Sequence, residues 1–214
     1  MPFLHSVNVG TATATVHSDF PTTGIDKQPV ADAVWVSDPG PQLGGAGLHG
    51  DAICDLKSHG GTDQAVYAYA REDLDIWEAD LGRSLRSGMF GENLTTGDLD
   101  VTGARVGERW LVGETCVLEV TSPRIPCRTF AGWLVEHGWE RRFTKRGVPG
   151  AYLRVITPGA VRAGDPITVI ARPAHDVSIG FMFRALTTEK RLFAELAAAG
   201  SALPAELRSE LQVV

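Results

Sequence analysis

Arg109-Trp110-Leu111-Val112, the turn Gly113-Glu114, and Val117-Leu118-Glu119-Val120 decide the fold. Two short apolar runs, rich in strand-forming residues and joined by a glycine turn, read as adjacent strands. The same texture continues on both sides. Ser6-Val7-Asn8-Val9-Gly10 runs into Thr11-Ala12-Thr13-Ala14-Thr15-Val16, alternating small and β-branched residues with period two. Val30 to Val36, Ala65 to Ala70, Ala151 to Ile156 and Pro166 to Ile170 predict further strands, punctuated by Ser37-Asp38-Pro39-Gly40-Pro41 and Thr157-Pro158-Gly159. The run Gly44-Gly45-Ala46-Gly47-Leu48-His49-Gly50-Asp51 is too glycine-rich for a regular element. The 24 glycines and 12 prolines favour many short strands over a long-helix bundle.

Helices are few in this part. Leu74, Trp77, Leu81 and Leu85 share one face of a helix expected over 72–85. Phe130, Trp133 and Leu134 give the apolar content of a second over 128–137, stopped by Gly138. Beyond Arg172-Pro173 the pattern changes to three short helices, expected over 179–186, 188–199 and 204–211. Thr187 or Thr188 serves as an N-cap, Gly200 as a stop and Pro204 as a first-turn residue. The expectation is an α+β chain, mainly β: a barrel-like domain over 1–173 and a helical subdomain over 174–214. Val177, Ile179, Phe181, Phe183, Leu186, Leu192, Phe193 and Leu196 are more apolar surface than three short helices hide among themselves. They are expected to dock on the barrel or on a second copy of the chain.

Composition bounds the function. In 214 residues, 43% apolar and 21% charged, the chain is globular and large enough for an unstapled core. A net charge of −6 argues against a partner such as nucleic acid or an anionic membrane. Cys54, Cys116 and Cys127 cannot all pair with one another, and none stands in CxxC spacing. With no basic leader or long apolar run, the expected setting is the cytoplasm.

Three segments place polar residues and glycines where a core has no use for them. Lys57-Ser58-His59-Gly60-Gly61-Thr62-Asp63-Gln64 precedes a strand; paired glycines expose N–H groups as an anion nest, flanked by a cation, an imidazole and a carboxylate. An ordinary surface turn explains the same residues equally well. In Phe90-Gly91-Glu92-Asn93-Leu94-Thr95, an inward Asn93 holds a ligand and an outward one is surface. In Ser122-Pro123-Arg124-Ile125-Pro126-Cys127-Arg128, two prolines stiffen a strand-to-helix turn. Arg124 and Arg128 flank the thiol and favour thiolate, the form that ligates soft metals or attacks electrophiles. The competing fate is a buried inert thiol, which suits Cys116 in its apolar strand better than Cys127.

Gly47-Leu48-His49-Gly50-Asp51, the 57–66 segment, Phe90-Gly91-Glu92-Asn93-Leu94 and Pro123-Arg124-Ile125-Pro126-Cys127, in that order, resemble the motif set of the MOSC domain. That domain is named for the C-terminal part of molybdenum-cofactor sulfurase, and the single-domain bacterial YiiM-like branch is the nearest in pattern. The sequence departs from it at Thr62, Gln64 and Thr129. The resemblance implies a β-barrel ringed by helices, with a short helical C-terminal extension. It also implies a molybdenum cofactor of molybdopterin type, with Cys127 as the protein ligand to the metal. Lys57, Gly60, Gly61, Arg124 and Arg128 would meet its phosphate, and His59, Asp63 and Asn93 would line the pocket.

The function so implied is two-electron reduction of N-hydroxylated small molecules, such as N-hydroxylaminopurine-type bases, as detoxification. His59 or Asp63 would supply a proton. No flavin, haem or iron–sulfur motif is present, so electrons would come from a separate reductase. The alternative is a carrier module, with Cys127 holding a persulfide or passing on the cofactor without turnover. A Cys127–His59–Asp63 hydrolase ranks lower, because no oxyanion-hole motif accompanies the thiol. A barrel without chemistry completes the set. Assembly as a homodimer is compatible with all of these.

Overall fold

The computed structural model describes residues 1–41, 45–55 and 57–212; Gly44, at the head of the glycine-rich run, lies outside them. In chain order the strands are β1 Phe3–Gly10, β2 Thr13–Ala14, β3 Thr22–Thr23, β4 Lys27–Pro29, β5 Val34–Val36 and β6 Val66–Ala70. After helix α1 (Arg71–Leu81) come β7 Leu94–Gly97, β8 Arg109–Val112 and β9 Cys116–Pro123. Helices α2 (Arg128–Leu134) and α3 (Trp139–Arg146) precede β10 Ala151–Thr157, β11 Gly159–Val161 and β12 Ile167–Ala171. The chain ends with α4 (Ile179–Leu186), a 3₁₀ run over Lys190–Ala202 and α5 (Ala205–Leu211).

Eight strands form one sheet in the order β12-β8-β9-β10-β6-β7-β1-β4. The β6–β7 pair is parallel, so its connection must cross over, and α1 lies in that crossover. The sheet curls until its ends touch. Phe3 bridges Pro166, Leu4 N–H donates to Asp165 O at 2.8 Å, and Gly164 N–H donates to Leu4 O at 2.8 Å. On the same side of β1, its C-terminal half pairs with β4 instead, with Gly10 opposite Lys27.

Strand alternation sorts the side chains into two cores. Val66 and Ala68 of β6, with Ala151 and Leu153 of β10, join an aliphatic core with Leu118 and Val120. Tyr67, Tyr69 and Tyr152 face the other way, into an aromatic core with Trp77, Phe90, Phe130, Trp139 and Phe143. With both faces covered, β6 is buried along its whole length. Ile179, Met182, Leu196 and Leu203 belong to the same aliphatic core as the strands. The C-terminal helices are therefore docked on the sheet. Arg154 of β10 ties them further, donating to Ala202 O and Leu203 O.

Some element boundaries differ from expectation for local reasons. α1 stops at Leu81 because Gly82 takes the left-handed conformation (φ 65°), its N–H returning to Glu78 O. α2 stops at Leu134 because Val135 is left-handed as well (φ 56°). The segment expected as a helix over 188–199 is 3₁₀ from Lys190 and breaks at Gly200. α3, unread in the sequence, seats Trp139 and Phe143 in the aromatic core. No helix among the described residues is long and apolar enough to cross a membrane.

Candidate functional site

Between the tyrosine face of the sheet, the stretches 52–55 and 59–60 and the start of α2 lies an open cavity, about 650 Å³ of empty space with the solvent at its mouth included. Cys127 and Arg124, on the turn from β9 to α2, both line it. Cys127 is extended (φ −133°, ψ 168°) and its carbonyl accepts from Ala131 N–H at 3.1 Å, which starts the helix. Arg124 is only 6% exposed. Its guanidinium carbon lies 5.2 Å from the Tyr67 ring centroid and 4.8 Å from that of Phe130. Its Nε has no hydrogen-bond partner, and no carboxylate among the described residues pairs with it. The two rings attract the cation, but a buried unpaired charge is expensive, and a guanidinium does not give up its proton. A cation held in this way suits an anionic ligand.

A second cation stands in the same cavity. Lys27, carried in by the β1–β4 pairing, places Nζ 2.5 and 2.6 Å from the two carboxylate oxygens of Asp51. Asp51 also accepts from Gly10 N–H at 2.8 Å and from Asn93 Nδ2 at 2.9 Å. Asn93 Oδ1 accepts from Tyr67 N–H, so one amide joins the ion pair to β6. Burial lowers the Lys27 pKa, Asp51 opposes that, and Arg124 adds to it. Behind them Glu92 is fully buried and accepts from Gly88 N–H, Phe90 N–H and Thr95 Oγ1. It thereby fixes the loop that presents Gly91 and Asn93. Gly91 takes a left-handed conformation (φ 77°) that a side chain would strain, and a Cβ there would crowd Ile25 at 3.1 Å.

His59 Nδ1 lies 3.3 Å from Tyr152 Oη. Burial, then the Arg124 cation, lowers the His59 pKa to about 4, so the ring is neutral at pH 7. Burial raises that of Tyr152, which stays a phenol. The His59 shift is a stability statement. Its folded value lies below the ordinary 6.5, so between these values the unfolded chain binds a proton that the folded chain does not. Stability therefore falls as pH drops through 6.5 and levels off below about 4. The loss is on the order of 3 kcal/mol. In urea unfolding at pH 7 and pH 4.5, His59→Asn should lose less than the original chain. Equal losses would mean that His59 is not held neutral.

The residues singled out in the sequence divide. His59, Gly60, Asn93, Arg124 and Cys127 line the cavity. Asp63 does not: it pairs with Arg154 at 2.8 Å and accepts from Ala205 N–H at 2.9 Å, which makes it an anchor for the C-terminal helices. Lys57 is exposed on a turn closed by Asp55, its N–H donating to Asp55 Oδ1. The Gly61 amide is spent on Gly45 O at 3.0 Å, so the anion nest is reduced to Gly60. Arg128 turns outward to Asp19 at 2.7 Å. The sequence reading missed Lys27, Asp51, Tyr67 and Tyr152, although Asp51 stands in a quoted motif. Among the described residues, no group of three or more His, Cys, Asp and Glu could hold a metal ion. A metal reaching Cys127 must bring most of its other ligands with it. A chelate that is itself anionic fits this donor set: one soft sulfur and two buried cations.

Comparison with known proteins comes to the same region. The MOSC domain profile matches residues 55–168, which include His59, Asn93, Arg124 and Cys127 but not Lys27 or Asp51. The chain is 30% identical to protein YiiM of Escherichia coli (strain K12) over 136 residues, 62% of this chain and 60% of that protein. It is 31% identical to a protein named reductase of Gibberella moniliformis over 121 residues, 54% of this chain but only 21% of that protein. It thus spans less than two thirds of either relative. The crystal structure of YiiM from Geobacillus stearothermophilus superposes with a TM-score of 0.78 at 28% identity, covering 99% of this chain and 98% of that one.

Proposed function

The chain belongs to the MOSC domain family, and on that premise we propose that it is an oxidoreductase that holds a molybdenum cofactor in the Cys127 cavity and reduces N-hydroxylated small molecules there. The observation that carries this reading is the buried Arg124 guanidinium, unpaired and in the same cavity as a thiol. Cys127 would ligate the metal as thiolate, and Arg124 and the Gly60 amide would meet the anionic part of the pterin. When bound, that group supplies the two-electron chemistry of N–O cleavage. The chain supplies position and protons. Tyr152 Oη keeps its proton across the neutral range and would be the proton donor at the cavity wall, while neutral His59 Nδ1, 3.3 Å away, orients the phenol. Asp63, held by Arg154, has no part in that pair. Asn93 keeps its amide fixed between Asp51 and β6, so the cavity floor does not reorganise when a substrate enters. Electrons come from a separate reductase in this reading.

The test is molybdenum analysis of the full chain from a host that makes the cofactor, followed by turnover of an N-hydroxylated purine base with a reduced dye as donor. About one molybdenum per chain together with turnover is the expected result. Molybdenum without turnover would favour a cofactor carrier. Absence of both would overturn the reading.

A further inference from the structure

Residues 11–23, which carry the hairpin β2–β3, contain no buried residue, and their ladder is only two residues long. An isolated two-stranded hairpin of this size is not stable by itself, and a segment without a core opens at low cost. Its base, by contrast, is pinned. A Cβ on Gly10 would lie 2.3 Å from Gly24 O, and one on Gly24 would lie 2.0 Å from Ala52 O, so the two ends pack backbone against backbone. Its tip rests on the first turns of α2. Arg128 Nη2 meets Asp19 Oδ1 at 2.7 Å, Arg128 Nε and Thr129 Oγ1 both donate to His17 O, and the His17 ring covers Gly132. Ser18 at the tip, with Thr22 and Thr23 of β3, lines the cavity that holds Cys127.

We propose that residues 13–23 are a strap that gates the Cys127 cavity by size, latched on α2 by the Arg128–Asp19 pair and by the fit of His17 over Gly132. The inference rests on the cavity being the functional site, not on the group bound there. It also gives Arg128 a role. The side chain four residues beyond Arg124 holds the roof down while Arg124 faces the interior. The latch is weak by construction, because both charges are largely exposed (65% for Arg128, 91% for Asp19). A pair of that kind holds a segment closed most of the time and lets it open without unfolding the sheet. Substrates would pass only when small enough to enter with the strap down, or when the strap lifts.

The test reads the thiol. The full chain carrying Cys54→Ser, made in a host without cofactor synthesis, is alkylated with iodoacetamide and, separately, with a bulky polyethylene-glycol maleimide. The ratio of the two rates cancels any change in thiolate fraction when the charge of Arg128 is altered. Asp19→Asn should raise the bulky-to-small ratio by about two- to fivefold, the most that an exposed ion pair yields. Gly132→Ala should raise it more, because its Cβ would lie 2.2 Å from the His17 ring and lift the tip. The charge-swapped pair Asp19→Arg with Arg128→Asp should bring the ratio back toward that of the parent. An unchanged ratio in Asp19→Asn and Gly132→Ala would overturn the strap. If Gly132→Ala does not fold, Asp19→Asn and the swap decide. Molybdenum content plays no part in the readout, so failure here is distinct from failure of the cofactor reading.

Discussion

Cys127→Ser should fold as the original chain does, yet lose more than about a hundredfold of the proposed reductase activity, beyond what altering a metal ligand's outer partners typically costs. The residue is half-buried, packed on one side against the aromatic core and open on the other to the cavity, so a hydroxyl of nearly the same size fits the space and keeps an outlet to polar partners. What changes is the donor: a soft thiolate becomes a hard hydroxyl that keeps its proton. Binding of the anionic part of the cofactor should fall less than activity, because Arg124 and Gly60 are untouched. Cys116→Ser is the control with the opposite profile. Cys116 is fully buried in the aliphatic core, and burial pushes its thiol up to about 12, out of reach of thiolate chemistry. A hydroxyl there should cost about 1–3 kcal/mol of stability and leave activity per folded molecule unchanged. Equal activity in Cys127→Ser and the original chain, at equal molybdenum content, would remove the thiolate from the reaction.

The two cysteines were separable in the sequence because their neighbours differ. Cys116 opens an apolar strand, whereas Cys127 follows two prolines and stands between arginines. What the sequence could not say is which arginine turns inward. Arg124 and Arg128 lie on either side of the same thiol, and only the backbone after β9 sends one under Tyr67 and the other out to Asp19. The same ambiguity moved Asp63 out of the site. Thr62–Gln64 is a single 3₁₀ turn, in which neighbouring side chains point about a third of a revolution apart. Gln64 faces the cavity and Asp63 faces Arg154.

Val66-Tyr67-Ala68-Tyr69-Ala70, buried on both faces, was legible as a strand, though not which face carries the site; β7, buried just as fully, was not singled out. α3 stayed hidden because Trp139-Glu140-Arg141-Arg142-Phe143-Thr144-Lys145-Arg146 shows two aromatic residues among five charged ones. Its buried content is a single i, i+4 pair. Lys27 was hidden for a different reason. In Ile25-Asp26-Lys27-Gln28-Pro29 it looks like one polar residue among others, and only the long-range pairing with Gly10 brings it inside.

That pairing leads to the largest stability effect expected of one substitution. Lys27→Met should destabilise the chain by about 3–5 kcal/mol, the usual cost of breaking a buried ion pair. The partner side chains are 8% and 1% exposed, so Asp51 would keep its negative charge in a place water does not reach. Gly10 N–H and Asn93 Nδ2 still donate to it, but neither carries a compensating charge. Asp51→Asn should cost a similar amount by the opposite route. It leaves the Lys27 ammonium without its carboxylate and in the same cavity as the Arg124 cation, which already opposes its charge. The double variant Lys27→Met with Asp51→Leu removes both charges and should recover much of either loss, since apolar replacement of a buried pair is often close to neutral. Urea unfolding of the four proteins closes the cycle, with an expected coupling of about 1–3 kcal/mol. Additive single effects would mean that the charges do not depend on one another. Recovery of stability in the double variant, with loss of the proposed cofactor's retention, would instead support a binding role for an expensive pair whose lysine lines the same cavity as Arg124.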